Sequence, residues 1–153
     1  MIAEGQRAPD VTAMDQHGQR RTLSELWAKG PVVLYFYPKD ETLGCTAEAC
    51  AFRDRYQTFT DAGAEVVGVS RDGVASHAAF ASHHRLPFVL LADTDGAIEK
   101  AYGVQATFGF IKGRVTFVID RQGIVRLVFD SKLRPTAHIG EALDVVMRLA
   151  PAT

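Results

Sequence analysis

Val32 to Tyr37 is apolar at every position, β-branched or aromatic throughout but for Leu34, and bounded by Gly30-Pro31 and Pro38. Such a run predicts a strand covered on both faces, the central strand of an α/β sheet. From Cys45 to about Asp61 the period changes to helical, with Phe52, Tyr56 and Phe59 on one face and Gly63 closing the segment. Upstream, Val11–Met14 and Arg21–Leu23 flank Gln16-His17-Gly18, a turn between two short strands.

The alternation continues with a strand over Glu65–Ser70, a helix from Val74 to about Arg85, a strand over Phe88–Ala92 and a short helix over Asp95–Tyr102. Asp93 and Thr94 are candidate caps for that last helix. Val115–Ile119 and Ile124–Phe129 surround Asp120-Arg121-Gln122-Gly123 and read as a hairpin. Pro135 then introduces a helix whose Ile139, Leu143, Val146 and Leu149 share a face. Strands alternating with helices, then a hairpin and a helix, predict an α/β, thioredoxin-like fold. Its central mixed β-sheet is flanked by helices and carries an N-terminal β-hairpin extension. No repeat or linker interrupts the chain, so residues 1–153 are read as a single domain.

Composition narrows the function classes. A formal charge of −1, from 17 Lys+Arg against 18 Asp+Glu, offers no field to draw in nucleic acid or an anionic membrane. The apolar run at Val32 is far short of the ~20 residues that span a bilayer, and Glu4, Gln6, Arg7 and Asp10 occupy the place of a signal peptide's apolar core. A cytoplasmic location is the expectation. Two cysteines make no disulfide framework, so in a reducing compartment they point to chemistry.

Cys45 sits where a buried strand has ended at Pro38, a polar loop has passed, and a helix begins. The first N–H groups of a helix lack intrahelical partners, and that end carries about half a positive charge. A thiolate is stabilised there. A free thiol is only about 3% ionised at neutral pH, and a fall of about 2.5 units in pKa would make it roughly 90% ionised. That 30-fold gain is worth ~2 kcal/mol, small on the scale of enzymatic rate enhancement. Further donors must meet the charge that develops on a leaving atom. Thr42 can supply a hydroxyl, and a remote arginine would be the natural second donor.

Pro38, Thr42 and Cys45 match the Pro-x3-Thr-x2-Cys signature of the peroxiredoxins. The wider Tyr35-Phe36-Tyr37-Pro38-Lys39-Asp40 and Gly44-Cys45-Thr46-x-Glu48-Ala49 resemble the bacterioferritin comigratory, Q-type branch. Phe52-Arg53-Asp54 and Arg114-x-Thr116-Phe117-Val118-Ile119-Asp120 extend the likeness through nearly the whole chain. The resemblance implies thiol-dependent reduction of hydrogen peroxide and organic hydroperoxides without metal or bound cofactor. It makes Cys45 the peroxidatic nucleophile, with Thr42 bonding thiolate and peroxide, Pro38 shielding the sulfur and Arg114 polarising the site. Leu43 stands where the family often has proline, and the ten residues from Val104 to Gly113 form a shorter connection than in many relatives.

Within that branch a cysteine five residues after the nucleophile commonly resolves the sulfenic acid, which assigns Cys50 as the resolving thiol and implies an intramolecular disulfide, recycled by thioredoxin or a related dithiol protein. Positions five apart on an ideal helix have Cα atoms roughly 8.6 Å apart, whereas disulfides require less than about 7 Å. A Cys45–Cys50 bridge therefore demands that the first turns unwind. Resolution within one chain needs no dimer, so a monomer is expected.

Blander readings stand beside these. Cys50 can be buried filler, Arg114 a strand-end charge, and Glu48 a helix cap that offsets a nearby arginine, organised by Arg53. Tyr37 and Phe52 read as core. His83 and His84 are adjacent and read as helix-dipole partners, and His17, His77 and His138 show no metal-ligand spacing. Asp93-Thr94-Asp95-Gly96 is a capping turn, while Gly109, Gly113, Lys112 and Lys132 carry no motif. Two rival functions remain: a redox sensor or holdase using the same cysteine pair without sustained turnover, and a disulfide oxidoreductase, which Cys-x4-Cys spacing argues against.

Overall fold

The computed structural model describes residues 1–104, 114–130 and 136–149, together with the backbone of residues 106–107 and 110–111. The chain runs β1 (Thr12–Met14), β2 (Arg20–Thr22), α1 (Leu23–Trp27), β3 (Val32–Phe36), α2 (Leu43–Asp54) and α3 (Tyr56–Asp61). It continues through β4 (Glu65–Ser70), α4 (Val74–His84), β5 (Val89–Ala92) and α5 (Ala97–Tyr102). The short strands β6 (Ala106–Thr107) and β7 (Phe110–Ile111) pair with each other. Then come β8 (Val115–Ile119), β9 (Val125–Asp130) and α6 (Ala137–Leu149). Gly109, Lys112 and Gly113, in the connection after Val104, lie outside the described residues, as do Lys132 and Pro135, the expected start of the last helix.

Five strands pair in the order β5-β4-β3-β8-β9. β3, β4 and β5 are parallel, and β8 runs antiparallel to both of its neighbours. The unbroken apolar stretch does form the central strand, and the side-chain period of two divides it between two cores. Val33, Tyr35 and Tyr37 face the core beneath α2, α4 and α6, which also holds Cys45. Val32, Leu34 and Phe36 face the other, with Tyr102 and Phe117. Tyr35 stacks on Phe52 at 4.6 Å between ring centres. Gly68 on β4 makes room for it, since a β-carbon there would come within 3.0 Å of the tyrosine.

The N-terminal strands pair as a hairpin closed by Asp15, whose carboxylate accepts from the His17 and Gln19 N–H groups. The Gln16 amide reaches β5, accepting from Leu90 N–H and donating to the Phe88 carbonyl, which ties the hairpin to that edge of the sheet. No helix among the described residues is long and apolar enough to cross a membrane.

Two local expectations need correction. Leu23 opens helix α1 instead of ending a strand. The predicted helix from Cys45 to Asp61 is two helices, because Arg55 leaves helical geometry at φ −107° and ψ 6°. Its N–H reaches both Ala51 and Phe52 carbonyls, a tightened last turn before the chain restarts. The apolar period carries across this break, as Phe52 and Phe59 enter the same core. A pattern of faces reads through such a kink without marking it.

Candidate active site

β3 delivers the chain at Pro38 into the loop over residues 38–42, and α2 starts immediately after it with Thr42 at the N-cap. The first intrahelical bond runs from Thr46 N–H to the Thr42 carbonyl at 2.8 Å. That leaves the N–H groups of Leu43, Gly44 and Cys45 at the open, positive end of the helix. Cys45 has no exposed surface, and Cys45 and Cys50 are both free thiols.

Arg114, just ahead of β8, extends over this helix end. Its Nη1 donates to Cys45 Sγ at 3.0 Å and lies 3.4 Å from Glu48 Oε1. The fit depends on Gly44: a β-carbon at that position would sit 2.3 Å from Arg114 Nη2. The guanidinium is thus packed directly on the helix backbone, beside the sulfur.

Glu48, one turn along α2, is fully buried, and burial pushes its carboxyl up to about 8 against the opposing pull of Arg114. Its second oxygen has no hydrogen-bond partner among the described residues and lies 3.8 Å from His138 Nδ1. His138 Nδ1 in turn meets Thr116 Oγ1 at 2.8 Å. A carboxyl pushed toward its neutral form offsets less of the Arg114 charge. The cation is then available to a negative sulfur or a negative leaving oxygen.

Other sequence-predicted residues fall differently. Thr42 is exposed and its hydroxyl donates to the Lys39 carbonyl at 2.9 Å, making neither a helix cap nor a bond to Cys45. With that proton committed, its oxygen offers only lone pairs to a bound molecule. Pro38 is half-buried in the loop, and Leu43 is 93% exposed at the helix start. Cys50 is half-buried on the same uninterrupted helix as Cys45. Arg53 does not organise the Glu48–Arg114 pair. It pairs with Asp54 at 3.0 Å and donates to the His84 carbonyl at 2.8 Å.

Sequence reasoning missed how α4 holds the loop. Asp40 is buried, and its carboxylate accepts from Tyr37 Oη at 2.6 Å, Ser76 Oγ at 2.9 Å and His77 Nδ1 at 2.7 Å. The other ring nitrogen of His77 faces the Leu91 carbonyl at 2.9 Å, an acceptor, so Nε2 carries a proton. The Tyr37 and Ser76 hydroxyls and the His77 ring thus converge on one carboxyl group and fix the loop to α4. Asp72 completes the set by accepting from Asp40 N–H and Ser70 Oγ. Asp40, Asp72 and His77 lie close enough to hold an ion, but every one of them is committed to these bonds.

Next along the loop, Glu41 meets both neighbouring histidines of α4, His83 Nδ1 at 3.0 Å and His84 Nε2 at 2.6 Å. The sequence reading of His83 and His84 as helix-dipole partners did not anticipate that both would meet one carboxylate. Their rings lie 4.4 Å apart in the last turn of the helix, which Arg85 closes in the left-handed conformation.

Residues 4–128 match the model of the AhpC/TSA family. The chain is 47% identical over 149 residues to the chloroplastic peroxiredoxin Q of Triticum aestivum, covering 97% of this chain and 68% of the relative. Against the Populus jackii protein of the same name the identity is 49%, covering 97% and 70%. Peroxidoxin BcpB from Mycobacterium tuberculosis superposes with a TM-score of 0.92 at 38% identity, over 99% of this chain and 100% of that one. Peroxiredoxin Q from Xanthomonas campestris does so with a TM-score of 0.83 at 32% identity, over 92% of each.

Proposed function

The chain belongs to the AhpC/TSA family and is a thiol-dependent peroxidase of the peroxiredoxin Q type, and on that premise we propose that Cys45 is the sulfur that attacks the peroxide. The observation that carries the assignment is the Arg114 guanidinium 3.0 Å from Cys45 Sγ at the N-terminus of α2. The Cys45 thiolate attacks one peroxide oxygen, the O–O bond breaks, and the sulfur is oxidised to a sulfenic acid. The departing hydroxide or alkoxide leaves beside Arg114 and the free N–H groups of the helix, and takes up a proton to become water or alcohol. Thr42, whose hydroxyl proton is held by Lys39, accepts from the O–H of the incoming hydroperoxide and so orients it. Pro38 limits water at the sulfur.

Cys50 then attacks the sulfenic acid, forming the Cys45–Cys50 disulfide and releasing water. Both cysteines stand on one continuous helix, so its first turns unwind to close the bond, a local order–disorder switch. A dithiol protein of the thioredoxin kind returns both thiols by exchange through a mixed disulfide. Because one chain holds both sulfurs, residues 1–153 work as one domain and as a monomer. The Triticum aestivum and Populus jackii relatives are chloroplastic, whereas the reading for this chain is a reducing cytoplasm, where a dithiol reductant can return the thiols.

Oxidation by one equivalent of peroxide is expected to yield an intrachain disulfide by mass spectrometry, with a loss of helical circular dichroism that a dithiol reverses. Cys45→Ser abolishes peroxide consumption, and Cys50→Ser stalls recycling and drives Cys45 to the sulfinic acid. Sustained turnover of Cys50→Ser with the same reductant would reduce Cys50 to core filler. A wild-type protein that reacts once and stops would be a sensor instead of a peroxidase.

A further inference from the structure

Glu41 and Arg85 are the two non-glycine residues in the left-handed region among the described residues, at φ +64° and +54°. Side chains with a β-carbon rarely adopt that conformation unless their surroundings hold them there. Both flank one cluster: Glu41 supplies its carboxylate, and Arg85 directly follows His84. A carboxylate and two imidazoles are the donor set of borderline divalent transition ions. We propose that Glu41, His83 and His84 form a binding site for such an ion, zinc being the type case, and that the bound ion clamps the loop ahead of Cys45 to the end of α4.

The geometry is close to what an ion requires. Tetrahedral ligands bound at about 2.0–2.2 Å lie about 3.3 Å from one another. His83 Nδ1 lies 3.0 Å from Glu41 Oε2 and His84 Nε2 lies 2.6 Å from Glu41 Oε1, and one ligand atom from each residue falls within 4.8 Å of the others. Side-chain rotation on the exposed surface would bring such a set to coordination distance. Glu41 is half exposed and His83 more so, which leaves room for a completing water. A glutamate at the surface is an anion at neutral pH and needs no further change to serve as a ligand. Metallation replaces the proton between each imidazole and the carboxylate, so acid opposes binding.

The clamp follows from where the cluster stands. Arg53 already ties the last turn of α2 to α4 through the His84 carbonyl. Glu41 ties the loop before α2 to the same end of α4. The segment from Thr42 to Phe52, which contains both cysteines, is bracketed by these two attachments. An ion at Glu41 turns the N-terminal attachment from exchangeable hydrogen bonds into coordination. This part rests on the unwinding assigned to the Cys45–Cys50 step: a loop fixed by metal slows that step and lengthens the life of the sulfenic acid.

The test begins with the Cys45→Ser/Cys50→Ser chain, which removes the thiols as competing ligands. Zinc chloride titrated into it by calorimetry is expected to bind one ion per chain. Glu41→Gln, or His83→Asn together with His84→Asn, should weaken binding at least tenfold, as should acidification from pH 7.5 to 5.5. These are loop and helix-end substitutions, and circular dichroism checks that the fold is kept. Absence of binding, or equal affinity in these variants, overturns the site. In the chain with both thiols, saturating zinc should slow disulfide formation after one equivalent of peroxide severalfold, and Glu41→Gln should remove that slowing at the same zinc concentration. An unchanged rate with zinc bound overturns the clamp. A zinc-free protein that forms no Cys45–Cys50 bond refutes instead the resolving role of Cys50.

Discussion

Asp40 and Glu48 are both buried carboxyl groups close to Cys45 in the chain, and their surroundings differ in kind. Asp40 receives Tyr37, Ser76 and His77. Glu48 has one long contact to Arg114 and an oxygen with no hydrogen-bond partner among the described residues. The first is fully engaged in holding the loop. The second is pushed toward its neutral form by burial, and so competes less with the sulfur for Arg114. A buried carboxyl can thus anchor a site or be pushed toward its neutral form inside it, and the number of donors decides which.

The largest effect should come from removing the anchor. If the Asp40–His77 contact is an ion pair, Asp40→Asn removes one partner of it and leaves the other buried. Breaking one partner of a buried pair costs about 3–5 kcal/mol. Urea denaturation against wild type measures it. A loss under about 1 kcal/mol would mean that the histidine is neutral and that the anchor is not ionic.

A second effect separates the two carboxyls by pH. Glu48 has a folded pKa raised from about 4.5 to about 8. The folded state therefore binds more protons than the unfolded one across that window. The stability this contributes is complete below about 4.5 and is lost as pH rises through about 8. In a Cys45→Ser background, where the thiol no longer titrates, stability should fall by on the order of 3 kcal/mol from pH 5 to pH 8. Glu48→Gln should flatten that slope and be the more stable chain at pH 8. The same slope in both chains would place the titrating group elsewhere.

How far the sequence reaches is visible in the same residues. Periodicity located β3, β4 and β8, and the loop motif set Cys45 at a helix start, because local pattern and chemistry coincide there. Arg114 was found by resemblance, and its packing on Gly44 had a local signal, a glycine in the first turn of a helix. The Asp40–His77 and Glu41–His83 contacts span 37 and 42 positions and follow no spacing rule. A hydrophobic period says which face of α4 is buried, not which loop residue its histidines will meet. Thr42 shows the converse: the motif names the residue, but only coordinates reveal that its proton belongs to the Lys39 carbonyl.

The smallest of these effects tests the charge on Asp40 most directly. Tyr37→Phe removes one hydroxyl, 2.6 Å from Asp40 Oδ1, and leaves the ring packed against Tyr35 and Phe80. A hydrogen bond to a charged acceptor is worth about 1.5–3 kcal/mol and one between neutral groups about 1 kcal/mol. Tyr37→Phe should therefore cost about 2 kcal/mol if Asp40 is an anion. The cost should shrink in the Asp40→Asn background, because the two changes touch one interaction and cannot add. A double-mutant cycle with a coupling near zero would show that the hydroxyl and the carboxylate are independent. A cost near 1 kcal/mol that persists in both backgrounds would place Asp40 toward its neutral form, like Glu48. The difference between the two carboxyls would then lie in hydrogen-bond count alone.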